Sequence, residues 1–171
     1  MDVYLYVLII ILFLLALNKI NPKKYYSHIT FLTIFIIAAF RSEEIGNDLI
    51  KYINLFQFDI DRGSKAELEW SYTLLSKYLL KYTNDSFWYI LLTTTLTFVP
   101  LYILIFKKSN NRTFSLFFFY ILSFGFGFFL TGIRQSMAIV FCLWAFHFYE
   151  NKKYIYFVFL ILIASSIHLS A

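Results

Sequence analysis

Residues 3–17 read VYLYVLIIILFLLAL, an apolar run that contains no charged side chain. A helix that crosses the hydrocarbon core of a bilayer, roughly 30 Å thick, needs about 20 such residues. The residues before the run, Met1 and Asp2, are not basic, and no pair of small residues with cleavage-site spacing follows it. We therefore expect a retained first membrane span and not a cleaved signal peptide.

Apolar runs of this kind recur along the chain and predict an all-α polytopic membrane protein. The hydrophobic share is 60% and the charged share only 15%, whereas soluble domains carry about 25% charged residues. Pro100 lies in the third run, where we expect a kink, and Gly125 and Gly127 would permit close helix approach in the fourth. We expect one transmembrane domain over residues 1–171, with about six transmembrane helices at residues 2–18, 27–41, 87–106, 114–131, 133–149 and 154–171.

The charged residues between these runs predict how the chain is oriented. Three short loops are basic, and positively charged loops stay on the cytoplasmic side. The N-terminus and the external loop 42–86, which holds most of the acids, then lie outside. The net charge of +5 is read as this orientation signal and not as a nucleic-acid surface, and the single Cys142 allows no disulfide. The basic loop residues are Lys19, Lys23, Lys24, Lys107, Lys108, Arg112, Lys152 and Lys153.

Two helices are predicted within the external loop 42–86. Apolar residues at helical spacing favour a surface helix of about 65–83, and Ser64 with Glu67 fits a capping box at its start. A shorter helix near 48–58 would turn three apolar side chains inward. The stripe of the longer helix is Leu68, Tyr72, Leu75, Leu79 and Tyr82, and the inward residues of the shorter one are Leu49, Ile53 and Phe56.

Helix rise places several polar residues at one height near the outer interface. Counted from the basic loops, Arg41 lies about 25 Å up, Arg134 about 27 Å and His168 about 22 Å. Acidic residues of the external loop, among them Asp48 and Glu69, lie just above. Two arginines can bind a diphosphate through charge-assisted hydrogen bonds, and a carboxylate or imidazole can take a proton from a sugar hydroxyl.

Structural explanations of the same residues stay open at this point. Arg41 and Arg134 could be snorkelling side chains that anchor helix ends at the interface. His168 could be a hydrogen-bonded interfacial histidine, and Asp48 and Glu69 could be solvated loop acids.

Four segments, read as strings, resemble the EpsG family of polysaccharide-polymerising membrane proteins. Residues 41–56 read RSEEIGNDLIKYINLF, similar to the family's R…G-x-D-Y-x-x-Y…F, with Leu49 where Tyr is usual. Residues 69–77 read EWSYTLLSK, similar to E-x-G-[YF]-x-x-L, with Ser71 where Gly is common. Residues 133–138 read IRQSMA and residues 164–171 read ASSIHLSA, which resemble I-R-Q-x-[LM]-A and A-S-x-[FI]-H-x-S-A.

The resemblance implies a Wzy-type polymerase in the bacterial cytoplasmic membrane that uses no metal or cofactor. Such proteins join repeat units carried on undecaprenyl diphosphate, on the outer side, into capsule, exopolysaccharide or O-antigen. The family is roughly twice as long, so we expect this chain to correspond to its N-terminal half. By the resemblance, Arg41 and Arg134 bind the diphosphate, Glu69, Asp48 or His168 deprotonates the acceptor, and Gln135 and Tyr52 position sugar hydroxyls.

Three other functions are conceivable for a membrane protein of this pattern. A flippase would need polar residues through the middle of the membrane, which the Leu-, Ile- and Phe-rich runs do not supply. An acyltransferase using His168 would need reactive groups on the inner side. The third function, that of a non-catalytic subunit of a polysaccharide assembly complex, is compatible with the sequence. Expected partners are the lipid-linked oligosaccharide, membrane lipids and other assembly proteins, and no nucleic acid.

Overall fold

The computed structural model describes residues 2–46, 48–59 and 69–168, and every regular element within these ranges is helical. This confirms the all-α prediction. Two π-helical turns, Leu55–Asp59 and Ser123–Gly127, interrupt the series. The helices are α1 (Asp2–Ile20), α2 (Lys24–Ala39), α3 (Leu49–Asn54), α4 (Trp70–Leu80), α5 (Ser86–Lys108), α6 (Arg112–Ile121), α7 (Phe128–Thr131), α8 (Ile133–Glu150) and α9 (Tyr154–Ile167).

Two of the described helices are long and apolar enough to cross a membrane by length and composition: Val3–Ile20 in α1, and α5. The bent pair α6 and Gly125–Thr131 would make a third span if it crosses as one unit. Helix α9 is apolar but shorter, and α8 carries charged residues at both ends. The structure thus supports two to three spans, and the count of six stays a prediction. Helix α5 continues through Pro100 as one helix.

The predicted fourth span, residues 114–131, is broken and not straight. Its two halves meet at an angle of 62°. The backbone at Gly125 is non-helical, and a Cβ there would collide with the carbonyl oxygen of Phe119. A Cβ at Gly127 would meet no atom within 4 Å. The close approach predicted at the two glycines is therefore seen at Gly125, where it is to α6 of the same apolar run, and is wrong for Gly127.

The described helices pack around two apolar cores that meet along α5. The first core joins α1, α2, α5 and α6 through Ile11, Ile34 and Phe98. The second joins α3, α4, α5, α8 and α9. Helix α3 turns Leu49 and Ile53 into this second core, and the π-helical turn after it adds Phe56, as the sequence predicts for the segment near 48–58.

Helix α4 lies within the predicted surface helix and packs against α9. Tyr72 is buried in the second core, whereas Tyr82 follows the end of α4 and is exposed, so the predicted apolar stripe ends before Tyr82. The proposed capping pair, Ser64 and Glu67, and Leu68 lie outside the described residues.

The three basic loops lie together at one end of the helix bundle. An ion pair between Lys108 and Glu150 joins the α5–α6 loop to the end of α8. The α1–α2 loop and the α5–α6 loop line a common groove. The opposite end carries the acidic segment, where Ser86 donates a hydrogen bond to Glu43. Which end faces the cytoplasm stays a prediction.

Candidate functional site

Glu69 lies directly before α4, and its carboxylate joins two residues that are distant in sequence. Arg134 Nη1 donates to Glu69 Oε2 in a close ion pair, and His168 Nδ1 lies 3.0 Å from Glu69 Oε1. The side chains are 11% exposed for Glu69, 16% for Arg134 and 24% for His168. Three of the predicted site residues therefore form one cluster, the Arg134–Glu69–His168 cluster, which is largely shielded yet reachable from the surface.

The guanidinium of Arg134 is fixed by groups on two other helices. Its Nε donates to the Tyr52 hydroxyl at 3.3 Å. The guanidinium carbon lies 5.1 Å from the ring centroid of Tyr52 and 5.8 Å from that of Tyr72, within the range of cation–π attraction. Nη2 donates to no group among the residues that the structure describes.

The cluster is brought together by the α8–α9 hairpin and by the start of α4. Because α8 and α9 run antiparallel, the first turn of α8 and the last turn of α9 lie side by side. Ser71 Oγ donates to Ser166 Oγ at 2.7 Å, which ties the start of α4 to the same turn. The hairpin connection contains Lys152 with a φ of 58°, a left-handed conformation that reverses the chain within a short turn.

A buried pair of tyrosines lies beneath the cluster. The hydroxyls of Tyr72 and Tyr89 form a short hydrogen bond, and their rings pack on Tyr52 and Phe56 respectively. Burial raises the pKa of Tyr72 well above its ordinary value, so its hydroxyl stays protonated at neutral pH. Sequence reasoning placed Tyr72 on the apolar stripe of α4 and missed this hydrogen bond, since nothing in the spacing indicates which distant hydroxyl it meets.

Arg41 lies in a different environment from Arg134. It is 7% exposed, and its Nη1 donates to the Ala38 carbonyl at 2.7 Å and to Thr94 Oγ1 at 3.3 Å. Its Nε is buried without a hydrogen-bond partner, and no carboxylate pairs with it among the described residues. The role of Arg41 at a diphosphate stays a prediction.

Asp48 and Gln135, the two remaining predicted site residues, make no described contact with the Arg134–Glu69–His168 cluster. The Asp48 carboxylate is 45% exposed and pairs with Lys51 at 3.2 Å on the surface of α3. Gln135 follows Arg134 on α8, where it is half-buried. Their proposed roles stay predictions.

Apolar helices of membrane-spanning length and a charged cluster at one end of the bundle define a helical membrane protein with a polar site at a helix-end surface. The sequence model of the EpsG family matches residues 24–171. The chain therefore belongs to the EpsG family, as the four segments indicate, and is a membrane protein of polysaccharide biosynthesis. No curated protein and no solved structure matches it.

Proposed function

We propose that this chain carries the glycosyl-transfer site of a Wzy-type polysaccharide polymerase. In this reaction, the acceptor repeat attacks a glycan carried on undecaprenyl diphosphate, and the diphosphate departs. The observation that supports the proposal is the Arg134–Glu69–His168 cluster, which combines a cation for an anionic leaving group with groups able to accept a proton. We place the reaction on the outer face of a bacterial cytoplasmic membrane, with about six spans and the N-terminus outside.

In the proposed mechanism, His168 is the general base and Glu69 orients it. With the proton on Nδ1, His168 donates to Glu69 Oε1, and its Nε2 is left as a proton acceptor. Glu69 is held on its other oxygen by Arg134, so the carboxylate is fixed from both sides. The imidazolium that forms when Nε2 takes the acceptor proton is stabilised by this neighbouring carboxylate.

The proposed electron flow needs no further reactant. The acceptor oxygen gives its proton to His168 Nε2 and forms a bond to the anomeric carbon of the donor glycan. The bond from that carbon to the diphosphate oxygen breaks, and its electron pair leaves with the diphosphate. Stabilising the charge that develops on this oxygen is the role we assign to Arg134, through the N–H groups of its Nη2.

Several features of the site support this division of roles. Tyr52 fixes the orientation of the guanidinium by accepting from Nε, so the remaining donors have a defined direction. Glu69 already contacts two partners, which suits an orienting group better than a base that must meet the substrate. We retain Gln135 as a candidate for contacts with sugar hydroxyls, since it lies beside Arg134 at the start of α8.

The Arg134→Ala substitution tests the proposal in a bacterial strain whose polymer formation depends on the gene that encodes this chain. We expect polymer to fall by roughly 100-fold or more, while single repeats accumulate on the lipid carrier. The control is Lys77→Ala, which removes an exposed positive charge from α4, the helix that Glu69 precedes, and which should keep the normal chain-length ladder. A normal ladder in stably expressed Arg134→Ala protein would refute the assignment.

A further inference from the structure

A groove of about 630 Å³ opens at the basic end of the bundle, away from the Arg134–Glu69–His168 cluster. It lies between the C-terminal half of α1, the start of α2 and the start of α6. We call it the basic groove. Its lining combines four basic residues at the mouth with an apolar wall below them.

The charges around the basic groove are all of one sign. Lys19, Lys23, Lys24 and Arg112 line it, and none of the acidic residues that the structure describes does. The three lysines form no ion pair within the described part of the chain. The other basic cluster at this end differs, because Lys108 there pairs with Glu150 and Lys107 lies over the ring of Trp144.

Arg112 is held in place at the rim of the basic groove. Its Nε donates to the Phe106 carbonyl at 3.0 Å, and its guanidinium carbon lies 3.7 Å from the centroid of the Phe106 ring. The remaining guanidinium N–H groups donate to no residue that the structure describes. A fixed guanidinium loses little conformational entropy when it binds an oxyanion.

The other wall of the basic groove is apolar and continues along an exposed side of α1. Leu12, Leu15, Ala16 and Phe114 form this wall, and Leu12 and Phe114 are exposed. Cations at the mouth with an apolar wall below match an amphiphile that has a negative headgroup and a hydrocarbon chain. A free phosphate or a soluble nucleotide would use only the charged half.

We propose that the basic groove binds one anionic phospholipid, with its phosphate on Lys19, Lys23, Lys24 and Arg112 and an acyl chain along α1 and α6. Basic pockets between transmembrane helices are typical sites for acidic lipid headgroups. The proposal is independent of the glycosyl-transfer reaction, because the groove and the cluster lie at opposite ends of the bundle.

Lipid binding to the purified full-length protein in detergent tests this proposal. The probe is headgroup-labelled phosphatidylglycerol, competed with unlabelled phosphatidylglycerol, phosphatidylcholine or inorganic phosphate. We expect competition by phosphatidylglycerol alone, and weaker binding at high salt because exposed charges are screened. Displacement by inorganic phosphate at low millimolar concentration would show a free-anion site and overturn the proposal, and equal competition by phosphatidylcholine would overturn it as well.

Two pairs of variants locate the binding. The Lys19→Gln, Lys23→Gln, Lys24→Gln triple variant should bind about 100-fold more weakly. Its charge-matched control, Lys107→Gln, Lys108→Gln, Lys152→Gln, should bind nearly as the parent protein does. Equal losses in both would indicate general surface charge and overturn the proposal.

The second pair leaves the charge unchanged and so tests the groove even if the triple variant fails to fold. Ala16→Trp fills the apolar wall and should abolish binding, whereas Ile9→Trp, on an exposed part of α1 outside the groove, should not. Unchanged binding by Ala16→Trp would overturn the proposal.

Discussion

Arg134 and Arg41 come from similar heights near one end of the bundle, yet their surroundings differ in kind. Arg134 meets a carboxylate, a tyrosine hydroxyl and two aromatic rings, and its Nη2 has no described partner. Arg41 is enclosed by backbone and threonine oxygens, and its buried Nε meets no acceptor among the described residues. The first arrangement suits a group that meets a ligand, and the second suits one that joins the end of α2 to α5.

The comparison also shows why height alone does not define a site. A guanidinium near a bilayer interface is compatible with ligand binding, with anchoring and with burial. What separates the two arginines is the presence of Glu69, which comes from the loop before α4 and not from a spanning helix. Substitutions at each region should therefore have different effects.

Glu69→Gln should lower polymer formation by roughly 100-fold or more, because the amide can neither pair with Arg134 nor stabilise a charged His168. The measurement is polymer formed per molecule of membrane-inserted protein. Glu44→Gln is the matched control, since Glu44 is exposed in the same acidic segment. Retention of more than a tenth of the parent activity by Glu69→Gln would remove Glu69 from the mechanism.

Arg41→Ala should act mainly on stability. Loss of the hydrogen bonds to Ala38 and Thr94 leaves buried acceptors unpaired, at a cost of about 2 kcal/mol in the free energy of unfolding. The midpoint of thermal unfolding in detergent should fall by several degrees, while polymer formed per folded molecule changes little. A normal midpoint combined with lost polymer would instead place Arg41 at the diphosphate and remove the contrast with Arg134.

Gly46→Ala tests the loop between α2, which ends just before Arg41, and α3, which carries Tyr52. Gly46 has a φ of 115°, and a Cβ there would lie 2.5 Å from the Leu130 carbonyl oxygen. Alanine is strained in this conformation and would also collide with that backbone oxygen, so we expect about 1–2 kcal/mol of destabilisation. Thermal unfolding measures it, and Gly127→Ala, where space is open, should leave the midpoint within a degree or two. Equal effects of the two substitutions would contradict the packing at Leu130.

Tyr52→Phe should have a smaller effect on the reaction, because the ring that packs near Arg134 remains. Only the hydroxyl that accepts from Nε is lost, so the guanidinium is less well oriented. We expect a loss of about threefold to tenfold in polymer formation with little change in stability. Activity equal to that of the parent protein would show that Tyr52 does not orient Arg134.

The sequence predicts the helical class, the basic loops and three members of the site, because each depends on local pattern or on distance along a helix. Helix rise predicts similar heights for Arg134 and His168, and in the structure both residues contact Glu69. Helix rise does not give the rotation of a helix about its axis. It therefore does not distinguish a partly exposed arginine such as Arg134 from a buried one such as Arg41. The hydrogen bond between Tyr72 and Tyr89 is likewise set by tertiary packing of α4 on α5.

The break between α6 and α7 shows a second limit of sequence reasoning. Residues 114–131 form one continuous apolar run, so hydropathy predicts a single span. The chain turns because the backbone at Gly125 adopts a non-helical conformation against Phe119, which only the folded chain specifies. Gly125 and Gly127 lie two residues apart, and the sequence does not indicate which of them breaks the helix.

Asp48→Asn should have the smallest effect of the five substitutions and separates the two candidate acids of the external loop. The Asp48 carboxylate is half-exposed and pairs only with Lys51 among the described residues. Exposed ion pairs contribute about 0–1 kcal/mol, so stability should hardly change. Polymer formation should stay within about twofold of the parent protein, since a half-exposed carboxylate with no described contact to Arg134 or His168 has no part in the proposed proton transfer. If Asp48→Asn instead abolishes polymer while Glu69→Gln does not, the base lies on α3, and the Arg134–Glu69–His168 cluster is structural.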